Sequence, residues 1–240
     1  MSGRVSGFKT ADHRERYLAR YDQVVATRWT VERTELDVPT RFGTTHVRTC
    51  GAGSATPLVL IHPTTGSSAG WYPVIDQLSA DRPVYAPDTM GTPGRSVQSE
   101  PISSGADLAA WLDDLLDALA LPAVHLLGYS EGGWIAGLHA ATTERPEQLR
   151  SLTLIEPAGA ITAVSTRFII GLMAHALPVL LARDKRRAVR RLNTWMTARW
   201  SWTTTRSTSS CWPWPVSGSG CPVPAGSTTL RSPPSPPPPC

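Results

Sequence analysis

Gly128-Tyr129-Ser130-Glu131-Gly132-Gly133 constrains this chain more than any other stretch. It follows an apolar segment, Val124 to Leu127, that reads as a buried strand. It precedes a helical pattern with Trp134, Ile135 and Leu138 on one face. With glycine at roughly 7% of residues, a bare G-x-S-x-G arises by chance in about one chain in ten of this size. The flanking strand and helix supply the specificity, because together they form the context of a nucleophile elbow. A serine on so sharp a turn needs small residues two before and two after it, or side chains collide with the adjoining strand and helix. The helix beginning at Glu131 directs its free N–H groups and positive dipole end at the place where an oxyanion would develop.

The 240 residues suffice for one domain with a sizeable core. A formal charge of +4 and a pI near 9.1 are local in origin. Arg183, Lys185, Arg186, Arg187, Arg190 and Arg191 fall within nine positions and read as a solvated helix face. No spread of basic and aromatic residues suggests a nucleic-acid partner. The first sixteen residues lack the apolar core of a secretory signal. The longest apolar stretch, residues 168–182, is short for a membrane span and is interrupted by His175 and Pro178, so no membrane association is expected. Cys50 is the only cysteine before position 211, which points to a reducing, cytoplasmic setting.

Residues 9–27 carry helical spacing, with Tyr17, Leu18, Tyr21, Val24 and Val25 as the apolar side. Residues 30–38 and 44–49 alternate as strands, joined by a turn from Pro39 to Gly43. PLVLIH (57–62) and RPVYAPD (82–88) read as strands, and SLTLIEP (151–157) as a further buried one. Residues 69–80 and 104–120 read as helices, the second with Leu108, Trp111, Leu112, Leu115, Leu116 and Leu119 inward. This alternation predicts an α/β fold: a mostly parallel sheet with helices on both faces.

The predicted core spans residues 1–159, and 160–199 follow as irregular helices of a partial cap. From about Trp200 the character changes. Residues 200–240 hold no acidic residue and no histidine, three of the four cysteines, Trp200, Trp202, Trp212 and Trp214, and a terminal proline run. No period of 2 or 3.6 survives there, and a disordered tail is expected. Such a composition suits a shifted reading frame of a GC-rich gene; a genuine low-complexity tail is the alternative.

The chain resembles the α/β-hydrolases, and among them the carboxylesterase-like bacterial members. The likeness runs from about Tyr21 to Met196. It rests on VPTRFGTTHV (38–47), PLVLIHPTTGSSAGWYPVI (57–75), VYAPDTMGTPGRSV (84–97), HLLGYSEGGW (125–134) and LTLIEPAG (152–159). The resemblance implies that Ser130 is the nucleophile and that the N–H of Glu131 is one oxyanion donor. It makes the N–H of Thr64 the second, on the loop after a strand ending His62-Pro63, where the family usually has glycine in place of Pro63. Asp88 to Ser96 matches the family's D-x-x-G-x-G-x-S loop, in which Asp88 is structural. The implied reaction is acyl transfer from a small-molecule ester to Ser130, followed by hydrolysis, with no metal or organic cofactor.

The family order is serine, then acid, then histidine, both partners normally lying beyond residue 200 here. The absence of Asp, Glu and His there implies that the C-terminal core strands are missing and that the usual triad is incomplete. Some relatives, haloalkane dehalogenases among them, place the acid after the strand that follows the elbow, where Glu156 stands. Its other reading is a carboxylate bonded to loop N–H groups. No triad histidine is identified. His13 and His46 lie early, His62 holds its loop, His125 packs in the elbow strand, and His139 is more than 10 Å along its helix at about 1.5 Å per residue. His175 of the cap is the only one that a swing would bring over Ser130. No cysteine–histidine cluster has metal-site spacing.

The reading is therefore an ester-cleaving serine hydrolase with impaired activity. Its alternatives are a catalytically inactive binding protein and a C–C hydrolase or perhydrolase on the same fold.

Overall fold

The computed structural model describes residues 5–64, 66–159, 163–182 and 184–200. The predicted tail, apart from Trp200, lies outside the described residues. Helix α1 (Ala11–Arg28) is capped by Thr10, whose hydroxyl accepts from the His13 N–H at 3.1 Å, and it buries Tyr21 and Val25. Strands β1 (Arg33–Thr40) and β2 (Gly43–Cys50) form an antiparallel hairpin. Thr40 pairs with Gly43, so the turn is only Arg41-Phe42 and Pro39 belongs to β1. An outer strand can hold a proline where the missing N–H would point away from its neighbour.

Strands β3 (Leu58–Ile61), β4 (Val84–Pro87), β6 (Val124–Tyr129) and β7 (Leu149–Ile155) follow, with the two-residue β5 (Val97–Gln98) set against β2. The order across the sheet is β1-β2-β4-β3-β6-β7, with the β4-β3-β6-β7 half parallel. The period of two along β3 divides the core. Val59 and Ile61 meet Trp111, Leu112, Leu115 and Leu116 of α3 (Gly105–Ala118) and Ile135 of α4 (Glu131–Thr142). Leu58 and Leu60 face the opposite layer, with Tyr21, Val25, Trp29, Trp71 and Ile75. Helices thus cover both faces, as the alternation predicts. A capping box starts α3: Ser104 accepts from the Asp107 N–H, and the Asp107 carboxylate accepts from the Ser104 N–H.

Sequence expectations fail at two further elements, one a helix and one a strand. Residues 69–80 are not one helix but a 3-10 turn (Ser68–Trp71) and the single-turn α2 (Ile75–Leu78). Pro73 between them has no N–H to continue an α-helical ladder. Strand β7 is not buried: Leu152 and Ile155 are 37% and 40% exposed. Its apolar run is that of an interior strand, yet among the described residues it pairs only with β6.

Residues 163–182 and 184–200 hold two regular helices of 16 residues, α5 (Thr166–Leu181) and α6 (Lys185–Trp200), rather than irregular ones. Pro178 lies in the last turn of α5, and Ser165 caps its start. No described helix is long and apolar enough to cross a membrane.

Candidate active site

Ser130 sits between β6 and α4 with φ 54° and ψ −116°, a backbone conformation that L-residues rarely adopt. Three backbone bonds hold it there. Its N–H donates to Ile155 O at 2.9 Å, and its carbonyl accepts from Trp134 at 3.0 Å and Ala158 at 3.1 Å. Its side chain takes no part in capping α4, which leaves the hydroxyl free for other chemistry.

Two flanking glycines are sterically required. A Cβ on Gly128 would lie 2.2 Å from Gly132 O, and one on Gly132 would lie 2.2 Å from Ile61 O and 2.7 Å from His62 O. The first turn of α4 therefore abuts the end of β3, and the loop bearing Thr64 lies beside the elbow. Gly132→Ala forces that turn off the strand, and a loss of about 2–3 kcal/mol is expected. Urea unfolding checks this; a midpoint unchanged from wild type would show that the backbones give way freely.

Thr64 is exposed, in a turn closed by the Gly66 N–H donating to Pro63 O at 2.8 Å. Pro63 opens this turn, a position that needs only its carbonyl as acceptor, so the missing N–H costs nothing. Among the described residues, neither the Thr64 N–H nor the Glu131 N–H has a protein acceptor. Glu131 lines a recess of about 170 Å³ with Thr89, Met90, Gln98 and Ile102. Glu156 follows β7 with φ 46° and is exposed. Burial raises the pKa of the neighbouring Tyr129 phenol, and the Glu156 charge adds to the shift.

The Asp88 loop is tied down from several directions. Buried Asp88 accepts from Tyr21 Oη at 2.9 Å, from the Ser68 N–H at 2.7 Å and from the Arg95 N–H at 2.7 Å. Arg48, 1% exposed, donates to Tyr21 Oη and Ser68 Oγ, both at 2.9 Å, and to Glu35 at 2.8 Å. Tyr21 has one hydrogen and gives it to Asp88, so Ser68 donates to Tyr21. This cluster escapes sequence reasoning, which files Tyr21 among apolar residues. The available signal is an arginine set inside β2 beside the buried Val47.

His62 is 2% exposed: its Nδ1 lies 2.9 Å from Pro63 O, and its Nε2 accepts from the Thr89 N–H at 2.9 Å. His46 pairs with Asp37 at 3.0 Å, His125 with Ser151 at 2.7 Å and His139 with Asp113 at 2.9 Å. His13 is exposed on α1. His175 turns Nδ1 to the Gly171 carbonyl and lines a groove with Pro178, Arg187 and Arg191. Among the described residues no group of three or more His, Cys, Asp or Glu side chains is placed to hold a metal ion.

Burial pulls His62 and His139 below the ordinary histidine range, outweighing the nearby carboxylates that favour their charged forms. The unfolded chain takes up these protons at about pH 6.5, whereas the native state resists them. Stability is therefore full above about pH 6.5 and falls as the pH drops toward the two folded-state values. Thermal unfolding between about pH 7.5 and about pH 5 should show a falling Tm, with a shallower slope in His139→Gln. A Tm that holds or rises on acidification would contradict this.

The family described as alpha/beta hydrolase fold matches residues 56–206. Carboxylesterase YbfK of Bacillus subtilis is 36% identical over 145 residues, covering 60% of this chain and 48% of the relative. The carboxylesterase nap of the same organism is 34% identical over 150 residues, covering 62% and 48%. The crystal structure of the B. subtilis carboxylesterase CesB (YbfK) superposes with a TM-score of 0.68 at 28% identity, covering 85% of this chain and 65% of that one. Naproxen esterase from B. subtilis gives a TM-score of 0.67 at 29% identity, covering 79% and 62%. The chain spans about half the length of the curated relatives it matches.

Proposed function

Since the chain belongs to the alpha/beta hydrolase fold family, we propose that it cleaves small-molecule carboxylic esters through an acyl-enzyme on Ser130. The observation that carries this reading is the Ser130 backbone at φ 54°, with a hydroxyl not spent on capping and a helix N-terminus directly behind it. The likeness to two carboxylesterases supports the substrate class.

In this reading Ser130 Oγ attacks the ester carbonyl, and the tetrahedral oxyanion rests on the N–H groups of Thr64 and Glu131. Each donor contributes on the order of 3 kcal/mol to the transition state. The alcohol departs with a proton, and water then releases the acid from the serine. Glu156, one residue past the Ile155 carbonyl that holds the Ser130 N–H, takes the position of the orienting acid. A free, buried Cys50 suits a reducing compartment.

The general base is the weak point. No histidine follows His175, and no acidic residue follows Asp184, in the 240 residues. His46, His62, His125 and His139 each engage other partners, namely Asp37, Pro63 with Thr89, Ser151, and Asp113 in turn. Turnover well below that of a complete triad is therefore expected, what remains being unassisted attack by Ser130 supported by the oxyanion donors and substrate positioning. The same observation favours a second reading, an inactive binding protein. Hydrolysis of short-chain p-nitrophenyl esters by the folded chain separates the two. Saturable turnover halted by one equivalent of a phosphonate supports the enzyme. A rate equal to that of an inert protein control supports the binding protein.

A further inference from the structure

Thr64 is exposed on a turn, and an exposed turn does not by itself aim a hydrogen-bond donor. The N–H of Thr64 belongs to the same planar peptide group as the Pro63 carbonyl, and no peptide bond among the described residues is cis. The two groups therefore point in opposite directions, and whatever fixes the carbonyl fixes the N–H. Among the described residues two groups meet that carbonyl: the Gly66 N–H at 2.8 Å and His62 Nδ1 at 2.9 Å. The other nitrogen, Nε2, lies 2.9 Å from the Thr89 N–H. A backbone N–H only donates, so Nε2 is an acceptor and the proton resides on Nδ1. The imidazole thus accepts from one backbone group and donates to another, an arrangement open only to the neutral Nδ1–H form.

The Thr89 end of this link is itself anchored. Thr89 follows Asp88, whose carboxylate binds Tyr21, the Ser68 N–H and the Arg95 N–H. We propose that His62 is a positioning residue: its neutral ring links the anchored Thr89 amide to the Pro63 carbonyl and so aims the Thr64 N–H at the acyl oxygen on Ser130. The assignment rests on the ester-hydrolase reading for its consequence, though not for its geometry. Asp88 and Glu131 are the charged groups that face the ring; both favour its protonation, and burial opposes them more strongly. The Nε2 lone pair, the only basic site of this tautomer, is taken by the Thr89 N–H, which keeps this histidine from acting as the base for Ser130 while it performs this task.

Two substitutions divide the link. His62→Asn keeps an amide donor near the Nδ1 position and loses the acceptor for Thr89. His62→Gln keeps an acceptor near the Nε2 position and loses the donor to Pro63. Both are expected to lower kcat about 10²-fold with KM little changed, since a donor misplaced by about 1 Å forfeits that much. In ¹⁵N-histidine NMR of the wild-type chain, His62 should show the Nδ1–H neutral pattern at pH 7. The Thr64 amide resonance should shift in both variants. An Nε2–H or doubly protonated ring in the wild type overturns the proposal, whether or not the variants fold. So does an unmoved Thr64 resonance in folded variants, or full kcat in both. A wild type inert toward esters removes the hydrolase reading alone, because the tautomer and the Thr64 resonance still decide the positioning claim.

Discussion

Ser130→Ala abolishes phosphonylation and lowers ester hydrolysis at least about 100-fold, while the fold keeps its stability to within about 1 kcal/mol. The two halves of this expectation have separate causes. Chemically, the alanine has no oxygen to acylate, so the covalent route is closed and only attack by water within the oxyanion site remains. Structurally, the hydroxyl does not cap α4, and the three backbone bonds at residue 130 do not involve the side chain. Alanine also has a Cβ, so the cost of φ 54° is common to both residues. A structural serine would behave differently, because loss of a helix N-cap typically costs about 1 kcal/mol and leaves activity in place. Initial rates on p-nitrophenyl esters and urea unfolding of both proteins check the pair of outcomes. Equal rates with equal stability would remove Ser130 from the chemistry.

The largest effect on stability is expected at Asp88. Asp88→Ala leaves the N–H groups of Ser68 and Arg95 and the hydroxyl of Tyr21 without their acceptor in a buried site. It also strips the Arg48 cluster of one of its two nearby carboxylates, Glu35 being the other. Removing one partner of a buried charged network costs about 3–5 kcal/mol, because the remaining groups stay desolvated without compensation. At 2–4 °C per kcal/mol for a domain of this size, Tm should fall by roughly 10 °C. Asp88→Asn keeps the shape and one acceptor oxygen, but its NH₂ faces either Tyr21 and Arg95 or Ser68 as donor against donor. An intermediate loss of about 2 kcal/mol is expected. Thermal unfolding of both variants tests the order. An alanine variant as stable as wild type would mean that water satisfies the orphaned donors.

The parts of this fold that the sequence discloses are those whose causes lie in neighbouring residues. The elbow is legible because sterics require Gly128 and Gly132 at fixed offsets from Ser130, and the α3 capping box because Ser104 and Asp107 are three apart. Strand β3 is legible because four consecutive apolar residues face two covered layers. Strand β7 has the same apolar run and differs only in its neighbours, a property that composition does not encode. Residues 69–80 keep helical spacing, but a single proline overrides it. The Arg48–Tyr21–Asp88–Ser68 cluster joins α1, β2, the loop after β3 and the loop after β4, so no local pattern announces it. His62 is legible as a loop-holding histidine; its two backbone partners, one of them 27 positions away, are not.

The central claim is that Ser130, on its strained turn beside the Thr64 and Glu131 N–H groups, is the nucleophile of an ester-cleaving site. Mass spectrometry of the folded chain after reaction with a fluorophosphonate tests it most directly. The expected result is one adduct per chain on the peptide containing Ser130, absent from Ser130→Ala and slowed in His62→Asn. An unmodified folded protein, or an adduct on another residue that persists in Ser130→Ala, would contradict the claim.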